Sequence, residues 1–323
     1  MAGLERITTH EDRPVGFHDT RDAFDRTRDM IVAQEGRVYH VETHTATTAI
    51  RTVHILTELQ HIFGEEIIPQ SMIHEGFMSA RYHDAGKSPI SQISDEDVSA
   101  LLCQENAASR GIGQTAIVRM GDAIRTTTYE RRTDGTVRQP RFLSTVFGLS
   151  NKADVQRVLR GKHQRLTSID PRTVNWVAFA LAIADLDGPG IDGPETAEAT
   201  SASFFLELNP RIHALVVAGL PLPIEDQEAM ITWLDGQTSF YTDRQKELDR
   251  EWTWIAQIKM TPEQRQEIER IRQEHHNIYD ASIKRINEAH GVLSEALSRG
   301  EELAIRTWFA SNIYPPSDKR IHC

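Results

Sequence analysis

Between Val174 and Leu186 almost every side chain is apolar: Trp176, Val177, Phe179, Ala180, Leu181 and Ile183 leave no polar face. Asp170-Pro171 opens the run with a good N-cap residue and a proline suited to a first helical turn. Gly188-Pro189-Gly190 breaks it. A helix that is apolar all round is buried, so other elements must surround this one. One residue conflicts with that setting. Asp185 closes the helix, and a carboxylate is costly to bury without a partner.

The neighbouring segments also read as helices. From about Val38 to Phe63, Ala46, Ala49, Ile50, Val53, Leu56 and Ile62 recur mostly at three- and four-residue steps, and Gly64 stops the pattern. A second helix spans about Pro69 to Tyr82, with Met72, Ile73, Phe77 and Ala80. A third covers residues 95–109, with Val98, Leu101 and Leu102 on one face. Shorter helices are expected at Thr200–Leu208, Ile212–Ala218 and Pro223–Leu234. Thr261-Pro262-Glu263-Gln264 is a capping box, and it starts a long helix through Ile268, Ile271, Ile278, Ile286, Leu293 and Leu297 to Gly300. At about 1.5 Å per residue that helix is roughly 55 Å long. A compact domain cannot cover it, which points to a helical hairpin or a contact between two copies of the chain. One stretch differs. Thr126, Thr127, Thr128, Tyr129 and Val137 flank Thr133-Asp134-Gly135-Thr136, which predicts a β-hairpin at about 123–143. The expected fold is all-α, with this small insert and long C-terminal helices. It divides into a polar lead-in (1–36), a main domain (37–240) and a C-terminal helical appendage (241–323).

A net charge of −11 argues against a broad nucleic-acid-binding face, which needs clustered Lys and Arg. It leaves room for a small anionic substrate bound locally. The two cysteines, Cys103 and Cys323, form no disulfide framework and no zinc-finger spacing. No hydrophobic signal segment follows Met1, and no stretch approaches the ~20 apolar residues that span a bilayer. A soluble, cytoplasmic setting is expected.

Ala80-Arg81-Tyr82-His83-Asp84-Ala85-Gly86-Lys87 sets an imidazole beside a carboxylate at the end of a helix. A divalent metal would satisfy both. His40 and His44, four apart, share a helix face, although a solvent-facing pair has the same spacing. Imidazole and carboxylate ligands suit Mn, Zn, Fe, Co, Ni or Mg to varying degrees. Two positions have rivals. His54 lies 29 residues before His83, against 39 for His44, and Asp187 competes with Asp185. His275-His276, on the long helix, reads as part of a solvated face.

The order His44, then His83-Asp84-Ala85-Gly86-Lys87, then Ala184-Asp185 resembles the HD superfamily of metal-dependent phosphohydrolases. The resemblance covers about residues 37–190. It implies an all-helical core in which His44, His83, Asp84 and Asp185 hold the metal. Tyr39-His40-Val41-Glu42-Thr43-His44-Thr45 is similar to a segment of class I cyclic nucleotide phosphodiesterases, and so is Ala184-Asp185-Leu186. This likeness favours His44 over His54 and implies that His40 gives a proton to the leaving group. Lys87 stands where those enzymes carry a further histidine, and their intermediate histidine motif is missing. The likeness therefore implies a geometry and not cyclic-nucleotide specificity. Only His163 lies between Asp84 and Asp185, beside Lys162 and Arg165, which favours one metal over two.

The implied activity is hydrolysis of a phosphomonoester or phosphodiester, nucleotides included, by metal-activated water. Lys87 would hold a phosphate oxygen. His40 would act as general acid, worth roughly 10²–10⁴-fold. Asp84 would bind metal through one oxygen and orient water with the other. The alternatives are a di-iron oxygenase on the same scaffold and a non-catalytic metal-binding sensor or scaffold.

Overall fold

A computed structural model describes residues 13–34, 37–86, 93–127, 139–149, 155, 169–256 and 258–314. Among these residues the regular structure is helical throughout, with no strand. The elements are α1 (Phe17–Val32), α2 (Glu42–Phe63), α3 (Gln70–Tyr82), α4 (Asp95–Ser109), α5 (Gln114–Arg125), α6 (Gln139–Val146), α7 (Trp176–Leu186), α8 (Gly188–Ile191), α9 (Pro194–Leu208), α10 (Pro210–Ala218), α11 (Ile224–Ile255), α12 (Pro262–Ser298) and α13 (Glu302–Ser311).

The all-apolar run forms α7, and every residue from Trp176 to Ala184 is buried. Its start differs from the expected one. Asp170-Pro171 opens a separate 3₁₀ turn, in which the Asp170 carboxylate accepts from Arg172 N at 2.9 Å. Asn175 is the cap of α7, accepting from Ala178 N at 3.0 Å. Helices α2, α3, α5 and α6 pack around α7, so the centre of the fold is the place where Asp185 emerges. Helix α1 lies on α3, and α4 pairs with α5.

The predicted hairpin is not seen among the described residues, which leave out 128–138. Residues Ala123–Arg125 finish α5, and α6 begins at Gln139; the turn at 133–136 lies outside the described residues. The Thr126 and Thr127 hydroxyls donate to the Ala123 and Ile124 carbonyls at 2.6 and 2.7 Å, ending α5. Ile124, Phe142, Leu143 and Val146 are all buried. At Thr126 and Thr127, burial of the preceding α5 face on the central helix outweighs their β-preference.

Helices α11 and α12 form a long antiparallel hairpin. The capping box that starts α12 is in place. Thr261 N donates to Gln264 Oε1 at 2.9 Å, Gln264 N donates to Thr261 Oγ1 at 3.2 Å, and Gln264 Nε2 reaches back to Ile62 O, near the end of α2. The buried stripe of α12 runs Ile268, Ile271, His275, Tyr279, Ser282, Ile286, Ala289, Leu293 and Ala296, at steps of three and four. His275 therefore belongs to the core and not to a solvated face. Its Nδ1 accepts from Trp252 Nε1 at 3.2 Å, and burial pushes it down to about 4, so it is neutral. His276 faces outward and bonds to Asp249 at 2.7 Å. No helix among the described residues is long and apolar enough to cross a membrane.

A central α7 has a measurable consequence. Leu181→Ala is expected to lower unfolding stability by about 2–5 kcal/mol, and Leu303→Ala, on the exposed side of α13, by under about 0.5 kcal/mol. Urea denaturation of the two variants checks this; equal losses would mean that α7 is not the core.

Candidate metal centre

Three helices each deliver ligands to one point. His44 lies in the first turn of α2, His83 caps α3 with Asp84 following in the turn, and Asp185 sits in the last turn of α7. His44 Nε2 is 3.3 Å from both His83 Nε2 and Asp185 Oδ1, and 3.4 Å from Asp84 Oδ2. His83 Nε2 lies 3.1 Å from Asp84 Oδ2 and 3.2 Å from Asp185 Oδ1. The ligand atoms of His44, His83 and Asp185 all fall within 4.8 Å of one another, a spacing that could hold a metal ion.

The residues fit a cation in three further ways. His83 Nδ1 lies 2.6 Å from Ala80 O, so Nδ1 carries a proton and Nε2 is the nitrogen turned toward the cluster. Asp84 Oδ2 is buried and close to both imidazoles, yet makes no hydrogen bond. Two imidazole nitrogens and two carboxylates are a hard-to-borderline donor set suited to first-row divalent ions. Burial disfavours charge on His83, but Asp84 and Asp185 outweigh it and hold His83 well above the usual histidine range. Burial likewise opposes ionisation of the two aspartates, and His83 with its neighbours holds both well below theirs. For His44 burial wins, and its pKa is lowered.

The rival ligands sit elsewhere. His54 is exposed on α2. Asp187 is fully buried but committed. Arg244 donates to it from Nη2 at 2.8 Å, and Tyr279 Oη donates at 2.9 Å. Lys87 and His163 lie outside the described residues. Arg81 points away from the centre into a buried pair with Glu42 at 2.9 Å, under the Phe24 ring.

Around the ligands, α8 and α9 supply what the sequence did not signal. His40 Nδ1 lies 2.5 Å from Glu207 Oε1. Glu207 Oε2 accepts from the amides of Val38, Tyr39 and His40 at 2.8, 2.8 and 3.1 Å, fixing the turn before α2. Burial opposes the charge on Glu207, but His40 and these amides bring it down to about 2. Burial also disfavours charge on His40, yet Asp84 and Glu207 raise its pKa above the usual value. Glu207 stands 167 residues from His40, near the end of α9, and no local motif marks it. Arg51, buried on α2, bonds to Asp192 at 2.6 Å and to Ala184 O at 3.3 Å. The Gly188-Pro189-Gly190 turn does more than end α7. A Cβ at Gly188 would come within 2.7 Å of the Arg51 guanidinium, and one at Gly190 within 2.3 Å of the Tyr279 ring. Tyr314, beyond α13, packs 5.9 Å from Tyr39 and 6.4 Å from His44 between ring centroids.

Asp84, Asp185 and His40 open onto a cleft of about 1100 Å³ that runs along α11. No family model matches this chain, and no curated protein or solved structure matches it.

If the four ligands form one site, added Mn, Co or Zn raises the thermal unfolding midpoint and a chelator reverses the rise. At a hundred times the Kd, binding adds about 2.7 kcal/mol of stability. His83→Ala abolishes the shift. A shift that survives in this variant places the metal elsewhere.

Proposed function

We propose that this chain is a metal-dependent phosphohydrolase of the HD type, cleaving a phosphate ester with water. The observation that carries this reading is the convergence of His44, His83, Asp84 and Asp185 at one buried point, with His40 beside it on the wall of a large cleft. A divalent cation held there would supply Lewis-acid polarisation of a phosphoryl oxygen and of water.

The protein's own residues divide the remaining work. His40 keeps Nδ1 on Glu207, so Nε2 is the atom free to give a proton in the cleft. Asp84 directs Oδ2 at the two imidazoles, and its other oxygen is suited to orient and deprotonate the attacking water. Water oxygen forms the new P–O bond, the ester P–O bond breaks, and the His40 proton ends on the leaving oxygen, giving phosphate and an alcohol. Glu207 is a positioning residue, since it acts only through His40. Lys87, next to the ligand turn in sequence, is assigned to a non-bridging phosphate oxygen.

Proton donation matters most when the leaving group is a poor one. His40→Ala is expected to lower kcat for alkyl phosphates by roughly 10²–10⁴-fold and for nitrophenyl phosphate far less. Glu207→Gln should show the same leaving-group bias to a smaller degree, which a purely structural defect would not produce. A uniform loss on both esters removes His40 as the acid. Oxygen-dependent turnover with two irons per chain would contradict the phosphohydrolase reading outright.

A further inference from the structure

The cleft beyond the metal centre has a definite chemical character. From His44 a line of rings leads outward: Tyr39 at 4.5 Å between centroids, Phe204 at 5.4 Å from Tyr39, and Trp233 at 5.8 Å from Phe204. Tyr39, Phe204 and Trp233 line the cleft and are half-buried, so part of each ring remains open to it. The polar edge of Trp233 is already satisfied, with Nε1 donating to Ser201 O at 2.9 Å. At Phe204 and Trp233 the wall therefore offers aromatic surface.

Gly236 follows Trp233 by one turn on α11 and also lines the cleft. Glycine is disfavoured inside a helix relative to alanine. No close packing requires it here, because a Cβ added at Gly236 would meet nothing within 4 Å. What its missing side chain provides is room beside the rings.

The charges on the wall come in pairs. Arg51 is held by Asp192 at 2.5 Å, Arg244 by Asp187 at 2.8 Å, Lys246 by Asp243 at 3.0 Å and Arg250 by Glu247 at 3.0 Å. Among the described residues, each of these lining cations already faces a carboxylate, and Glu96 adds a further acid. A second or third phosphate could reach Arg51 or Arg244 only by breaking a pair in which the arginine is buried, and at Lys246 and Arg250 it would compete with a carboxylate already in place.

We infer that the substrate carries one phosphate on an uncharged, flat, ring-bearing alcohol, which lies along Tyr39, Phe204 and Trp233 with its far end beside Gly236. This rests on the phosphohydrolase reading of the metal centre and adds the class of leaving group. The rings form an apolar strip on a wall that also carries charged and polar residues, and stacked rings contribute beyond their buried area.

The test compares 2-naphthylmethyl phosphate with propyl phosphate on the full-length, metal-loaded chain, since both release alkoxides. The naphthylmethyl ester should be cleaved with a kcat/KM about tenfold or more above that of the propyl ester, and inorganic triphosphate should not compete. Gly236→Leu, checked for fold by circular dichroism, should remove that advantage and leave propyl phosphate within about twofold. Equal cleavage of the two esters, equal loss of both in the variant, or strong competition by triphosphate would overturn the proposal. Binding of 2-naphthylmethyl phosphonate, measured by calorimetry, reads the cleft without chemistry. Wild type should bind it about tenfold or more tightly than Gly236→Leu does. If this difference appears while neither ester is hydrolysed, the cleft assignment stands and the phosphohydrolase reading fails.

Discussion

Two imidazole nitrogens lie 3.3 Å apart at the end of a helix buried on all sides, with a carboxylate oxygen within 3.4 Å of each. Facing lone pairs repel, and ionised carboxylates in an apolar core are costly without compensation. Positive charge at the point where they meet resolves both problems. A proton shared through His83 is the least that suffices; a divalent cation would serve all four groups. The order of the helices follows from this requirement. Helix α7 brings Asp185 out of the core, α3 ends on His83-Asp84, and α2 begins one residue pair before His44.

The same logic governs the surrounding shell. Buried pairs such as Asp187 with Arg244 contribute little net stability, but removing one partner leaves a charge stranded, so each pair fixes a geometry. Asp187 ties the end of α7 to α11 through Arg244 and to α12 through Tyr279. Gly188 and Gly190 permit the close approach of Arg51 and Tyr279. The long C-terminal helices thus reach the centre of the molecule, and Tyr314, following the last of them, stacks near Tyr39 and His44.

The parts of this arrangement that were legible in the sequence were those that leave local marks. An all-apolar run must be buried, a His-Asp pair at a helix end needs a partner, and the Thr261 capping box states where α12 starts. The Tyr-His-x-x-x-His segment favours His44 over His54, and the structure places His44 beside His83, with His54 exposed. What the sequence hid was non-local. Glu207 reaches His40 across 167 residues, and Asp187, a rival ligand on paper, is neutralised by an arginine 57 residues later. The strand-like threonines after Ile124 carry only a weak preference: Thr126 and Thr127 close α5 instead, and residues 128–138 of the predicted hairpin lie outside the described residues. His275 misled, since its heptad position beneath Trp252 mattered more than its polarity.

The central claim is that His44, His83, Asp84 and Asp185 hold one cation. Anomalous diffraction from crystals grown with Mn or Zn tests it most directly. The account predicts a single strong peak within about 2.0–2.2 Å of an imidazole nitrogen of His44 and of His83, and of a carboxylate oxygen of Asp84 and of Asp185. A map with no peak there at saturating metal, or with its peak at other residues, would contradict it.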